Sequence, residues 1–210
     1  MLAFMRAKTM VLVGTTVVLA VGAGAWAWKG YQKRQHQQAV VAAVGETTVR
    51  LRAALVSPSK EIAPGIEMHL GAVKAAGWSP LADAAEQYIV GAREIARQRA
   101  EGARLAREAA AARQALTAHM HSGGRRTPGW FGTAVSLKKK VEQDHRDLDR
   151  SLKALEELLT TLPEASKLLE PHVAPAALLE ESVRRNARAR AQEDARRAAA
   201  ELHKVRNLTP

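Results

Sequence analysis

The sequence predicts an all-α protein: a single N-terminal transmembrane helix, followed by an elongated helical hairpin or bundle with coiled-coil character. Three observations carry that expectation. Residues 10–28, MVLVGTTVVLAVGAGAWAW, form an uncharged apolar run. Ala, Arg, Leu, Glu and Gln, the strongest helix formers, dominate the remainder. From Val141 to Leu162 apolar side chains recur at alternating steps of four and three, the spacing of a helix packed along its length.

Composition narrows the chemistry. The 210 residues contain two Phe, two Tyr, four Trp and no Cys. A cysteine-free chain has no disulfide framework, thiol nucleophile or thiolate metal site. The net charge of +11 is uneven, with seven Lys/Arg against three Asp/Glu over residues 29–79 and an even balance over 133–163. Excess basic charge favours anionic partners, although an Arg-rich solvated helical surface gives the same balance.

The elements follow in order. Residues 1–9 are a short tail carrying Arg6 and Lys8, and 10–28 are the anchor. Nineteen residues of helix span roughly 28 Å, close to the hydrocarbon thickness of a bilayer. Trp26, Trp28 and Tyr31 occupy the place of an interfacial aromatic belt, with Lys29, Lys33 and Arg34 beyond it. A cleaved signal peptide is the competing reading, because A-x-A-like sites lie at 23–25 and 25–27. The length of the run and its Trp exit favour a retained anchor. Basic residues on the two flanks nearly tie. A short N-terminal tail favours an exported body, so the expected location is a bacterial inner membrane, single-pass, with the C-terminal part extracytoplasmic.

Residues 29–78 read as juxtamembrane helices and a loop. One helix runs to about 56 on a Val40, Val44, Leu51, Leu55 stripe, and Ser57-Pro58 stops it. Pro64-Gly65 punctuates a loop. A short helix over 66–76 then ends at Gly77.

Residues 79–163 read as a long hairpin. Ser79-Pro80 is a helix start, with Ser as N-cap, Pro at the first helical position and Asp83 in the first turn. The helix runs to about His121 on a seam of Leu81, Ala85, Tyr88, Ala92 and Ile95. That seam weakens at Arg99 and Gly102 and resumes at Ala106, Ala109, Leu116 and Met120. Residues 122–132, SGGRRTPGWFG, are expected to break the helix. The next helix, 133–162, carries the seam Val141, His145, Leu148, Leu152, Leu155, Leu159, Leu162, with His145 as its one polar member. It is expected to pack against the preceding helix or pair with a second copy. Pro163 ends it.

Residues 164–210 read as a C-terminal charged helix from about 176, after Pro171 and Pro175. Leu178, Leu179 and Val183 anchor its start. Glu180–Arg184, Glu181–Arg185 and Glu193–Arg197 have i,i+4 spacing. Beyond Val183 it either projects as a charged rod or pairs with a partner.

Motifs for chemistry are few. The chain contains no P-loop, no G-x-G-x-x-G, no nucleophile elbow and no HExxH. His119 and His121 lie two apart, which on a helix places them on different faces. No catalytic residue, metal or cofactor is expected. The unusual segment is Arg125, Arg126, Trp130, Phe131: two cations beside two large aromatics. It suits a membrane interface, a stacked base or sugar, or a docked protein. In the alternative the aromatics cap the hairpin core and the arginines are solvated. The expected function is therefore a non-catalytic, membrane-anchored scaffold or accessory subunit, with lipid and another protein or a second copy as partners. A phage-type or envelope-spanning lysis factor is one rival reading. A membrane-tethered binder of nucleic acid or anionic polymer is the other.

Overall fold

The computed structural model describes residues 2–77, 79–122 and 127–207, with side chains from Trp28 onward. The regular structure among these residues is helical, with no strand among them. The helices are α1 (Leu2–Val56), α2 (Ile62–Ala75), α3 (Pro80–His121), α4 (Pro128–Leu169) and α5 (Glu181–Arg206), with a 3-10 turn at Pro175–Ala177. The side chains of residues 10–27, and so nearly all of the expected anchor including Trp26, lie outside the described residues. Among the described residues no helix is long and apolar enough to cross a membrane.

α1 is continuous over 55 residues. Its side chains from Trp28 to Ala39 are exposed, and its predicted stripe of Val40, Val44, Leu51 and Leu55 is buried. α2 begins earlier than predicted. Pro64 is the third helical residue, where a missing N–H has no partner to lose, and the Gly65 N–H bonds to the Glu61 carbonyl at 3.2 Å. Ile66, Leu70 and Val73 face the core. Gly77 closes the helix at φ +76°, a left-handed conformation that glycine adopts freely.

α3 starts as the sequence predicts: Ser79 Oγ accepts from the Ala82 N–H at 3.1 Å, and Pro80 follows. Its seam departs from the prediction in the middle. Ala106 is exposed, and Leu105 and Ala112 are buried instead.

Both predicted ends of the α4 helix are corrected. Thr127 Oγ1 accepts from the Trp130 N–H at 3.2 Å and Pro128 takes the first helical position, so the helix already includes residues 128–132. At the other end it runs through Pro163 to Leu169. An interior proline costs a helix about 3 kcal/mol. Leu162, Ser166 and Leu169 continue the buried seam past it, and each buried Leu returns about 1.5–3 kcal/mol. Burial therefore offsets the proline.

α5 starts at Glu181 rather than 176. Leu178 and Leu179 are buried, as anchors should be, but they lie before the helix. Glu180 does not pair with Arg184. It meets Arg52 at 3.2 Å, and Arg52 also donates to the Leu178 carbonyl at 3.1 Å. The Glu181–Arg185 and Glu193–Arg197 pairs form, each at 3.0 Å. α5 lies along α4, burying Ala191, Ala198 and Val205 at intervals of seven.

α3, α4 and α5 thus run up, down and up; α3 and α5 both lie against α4, their backbones apart and their side chains meeting across a groove. α1 and α2 pack on the first half of α3, where the large core is found. At its centre Tyr88 is fully buried. Its hydroxyl lies 2.7 Å from Thr48 Oγ1 and accepts the Leu179 N–H at 3.2 Å, while Thr48 donates to the Val44 carbonyl at 3.0 Å. Burial pushes the Tyr88 pKa up, against the opposing pull of its Thr48 and Leu179 hydrogen bonds.

Tyr88→Phe orphans the buried Leu179 N–H and should lower unfolding stability by about 1–3 kcal/mol, measured by urea denaturation. The raised folded-state pKa means the tyrosine's contribution is complete below the unfolded phenol value of about 10 and declines above it. The gap between wild type and Tyr88→Phe should therefore narrow as pH rises past about 10; a gap that widens there contradicts the network.

Candidate functional site

The end of α3 and the start of α4 form a tip remote from α1. The Ser79-Pro80 end of α3 adjoins α1, and 42 residues of α3 lead away from it, roughly 60 Å of helix. Trp130 sits in the first turn of α4, held there by the Thr127 cap. Its ring stacks on His119 at a centroid distance of 4.9 Å and an interplanar angle of 21°. His119 Nε2 lies 3.0 Å from the Trp130 carbonyl, which can only accept, so this nitrogen carries the proton. His121 Nδ1 likewise donates to the Thr117 carbonyl at 2.8 Å. Both histidines of the close pair thus commit a ring nitrogen to backbone. Among the described residues no group of His, Asp and Glu is arranged to hold a metal ion.

Phe131 meets Trp130 edge-on at 5.2 Å and is 38% exposed. Val135, one turn further, is 42% exposed. The structure therefore divides the aromatic pair. Trp130 is half-buried against His119 and closes the hairpin, while Phe131 and Val135 present an apolar face. Arg125 and Arg126 lie outside the described residues.

The α4 seam is buried at Val141, His145, Leu148, Leu152, Leu155, Leu159 and Leu162. α3 and α5 of the same chain cover it. His145 fits because its Nδ1 donates to the Val141 carbonyl at 2.9 Å, satisfying the buried ring on its own helix. It also lines a groove of about 330 Å³ between α3 and α5, beside Gly102, Ala106, Leu148 and Ala198. Arg113 of α3 and Glu201 of α5, 2.5 Å apart, both line this groove and bridge its walls. The Glu201 carboxyl is held below its ordinary value, first by its hydrogen bond with Lys204 and then, against partial burial, by Arg113.

On α1, Trp28 and Tyr31 are 60% and 55% exposed, with ring centroids 6.2 Å apart. Gln35 Nε2 donates to the Tyr31 hydroxyl at 2.7 Å. Sequence reasoning overlooked Thr48, Arg52 and Gly91. A Cβ on Gly91 would lie 3.2 Å from Leu162 Cδ1, so glycine permits the close approach of α3 and α4. The sequence signal for this was a glycine at the level of the Tyr88–Ala92 seam. No family model, curated protein or solved structure matches the chain.

Two measurements probe these assignments. Phe131→Ala should change stability by no more than about 0.5 kcal/mol, as an exposed substitution does, whereas Trp130→Ala, losing its stack on His119, should cost about 1 kcal/mol or more; equal effects contradict the division of the pair. Leu152→Asp with Leu155→Asp should abolish the helical circular dichroism signal or the compact elution volume, and a double variant unchanged in both refutes the packing of α4.

Proposed function

We propose that the chain is a non-catalytic, membrane-anchored helical scaffold or accessory subunit at the cell envelope, presenting a protein-contact surface at a fixed distance from the bilayer. The observation that carries this reading is the continuity of α1. One helix leads from the apolar run of residues 10–28, through the exposed stretch 28–39, into the core at Val40 without a loop. A body joined in this way follows the orientation of its anchor, whereas a flexible linker would uncouple them.

The direction of the helices adds to it. α1 and α3 run the same way, since Val40 and Leu81 line one crevice and Thr48 meets Tyr88. α3 then continues to the tip, so Phe131 and Val135 stand at the end opposite residues 10–28. In this reading Trp26, Trp28 and Tyr31 lie in the interfacial layer, Lys29, Lys33 and Arg34 lie among the headgroups, and the body is extracytoplasmic. The exposed Phe131–Val135 face, with Arg125 and Arg126 beside it in sequence, is the contact surface for a partner protein.

Native membranes washed with alkaline carbonate should retain the chain, and detergent extracts should yield it with a partner in a fixed ratio. Phe131→Glu with Val135→Glu should lower recovery of that partner at least tenfold without changing membrane retention. Recovery of the wild-type chain alone, or its release by carbonate, sinks the proposal.

A further inference from the structure

We infer that the crevice between the exposed stretch of α1 and the α2–α3 corner binds the phosphate of an anionic lipid headgroup. This rests on the membrane-anchored reading above and deepens it by naming the lipid chemistry and the residues that receive it.

The crevice has a volume of about 340 Å³. Lys29, Lys33 and His36 line it from α1, and Ser79 lines it from the start of α3. Val40 and Leu81, both buried, also line it, at the edge of the core. The steps 29, 33, 36 place the three basic residues on one face of the helix. No carboxylate lines the crevice; Asp83, in the first turn of α3, is not among its walls.

Lys74, Lys140, Lys153 and Lys204 each have a carboxylate partner within 4 Å. Among the described residues the charge of Lys29 and Lys33 has no carboxylate partner within that distance. Like charges at i,i+4 repel along a helix, so this pair opposes the helix that carries it. A phosphate between the two ammonium groups removes that repulsion, and Gln37 and Ser79 offer further hydrogen-bond donors at the walls.

The position selects a lipid as the source of the phosphate. Lys29 directly follows Trp28, whose exposed ring lies 6.2 Å from that of Tyr31. With residues 10–28 inserted, these rings lie at the level of the glycerol backbone and Lys29 and Lys33 at the level of the phosphates. A headgroup there bridges α1 to the α2–α3 corner, and so ties the anchor's tilt to the body.

The test uses the full chain in neutral detergent, with thermal unfolding followed by circular dichroism. Phosphatidylglycerol should raise the midpoint. Phosphatidylcholine and soluble glycerol 3-phosphate at equal concentration should not. Lys29→Gln with Lys33→Gln should weaken the response to phosphatidylglycerol by about 25-fold in half-saturating concentration, about 5-fold per lysine. Both side chains are exposed, and loss of their i,i+4 repulsion should leave the lipid-free midpoint of the variant equal to wild type or higher by about 1–2 °C. Arg34→Gln removes one charge from the same layer but outside the crevice, and should weaken the response by no more than the general surface contribution of about 5-fold. An equal shift with phosphatidylcholine overturns the proposal, as does an equal shift with glycerol 3-phosphate, an unaltered response in the double variant, or an equal loss in Arg34→Gln. Alkaline carbonate extraction of wild type from native membranes separates the two readings. Release overturns the anchoring and the lipid source with it, whereas retention with no phosphatidylglycerol response overturns the crevice alone.

Discussion

A hydroxyl buried without partners costs stability on the scale of the whole fold, and Tyr88 carries one into the centre of the largest core. Its partners come from separate parts of the chain. Thr48 lies forty residues before it, and the Leu179 N–H ninety-one after. Satisfying that one oxygen therefore fixes the register of α1 on α3 and the place where the chain turns between α4 and α5. Arg52 secures the same turn from the side by holding the Leu178 carbonyl and Glu180. Gly91, one turn beyond Tyr88, lets Leu162 of α4 approach closely enough to complete the junction. The remaining helices extend from this point.

Away from it the core thins. Near Tyr88 the large buried side chains are Leu, Ile and Val from four helices and the turn, with Ala filling between them. Beyond Gly102 they reduce to Leu105, Leu148, Leu152 and Ala198, and then to Ala112, Leu116, Val141 and Val205. Alanine seams bring helix axes close but bury little area per turn. A hairpin of α3 and α4 alone would leave the second flank of the α4 seam in water. α5 covers it with Ala191, Ala198 and Val205. This also accounts for the change from Ala106 to Leu105 in the α3 seam. In a two-helix hairpin the preferred stripe faces its single partner squarely. With α4 shared between two neighbours, α3 is turned so that Leu105 packs with Leu148, Leu152 and Ala198.

Periodicity made the helices legible in the sequence, and it placed the α4 seam residue by residue. It failed at prolines and at long-range contacts. Ser79-Pro80 reads correctly as cap and first helical residue. Thr127-Pro128 is the same device with the same geometry, but glycines on both sides favoured reading a loop, which hid the helical start and the position of Trp130 within it. Pro64 falls where a first turn tolerates it, and Pro163 is carried by Leu162 and Leu169; neither placement is visible until the helix start or the packing partner is known. Glu180 illustrates the other limit. Its i,i+4 spacing to Arg184 is correct, but Glu180 lies before the helix and Arg52 competes from 128 residues away. Of the candidate interaction residues, the pairing of Trp130 with His119 could not be read from spacing, because it depends on α3 and α4 meeting at the tip.

The exposed stretch of α1 poses a physical problem with a functional answer. From Trp28 to Ala39 no side chain is buried, and within it the described side-chain hydrogen bonding is the single Gln35–Tyr31 contact. A helix of this length and polarity is marginal in water on its own, because nucleation is costly and its propensity is weak. Here nucleation is already supplied at the C-terminal end, where Val40 and Val44 lock the following turns into the core. At the other end the same helix continues through residues 2–27, so both ends of the stretch are fixed and its backbone hydrogen bonds need only propagate. Such a segment is polar, continuous with the helix that enters the core, and has no loop at which to fold back on the body. It therefore acts as a strut rather than a tether: whatever holds the N-terminal part of α1 also sets the direction in which α3 carries the Phe131 tip.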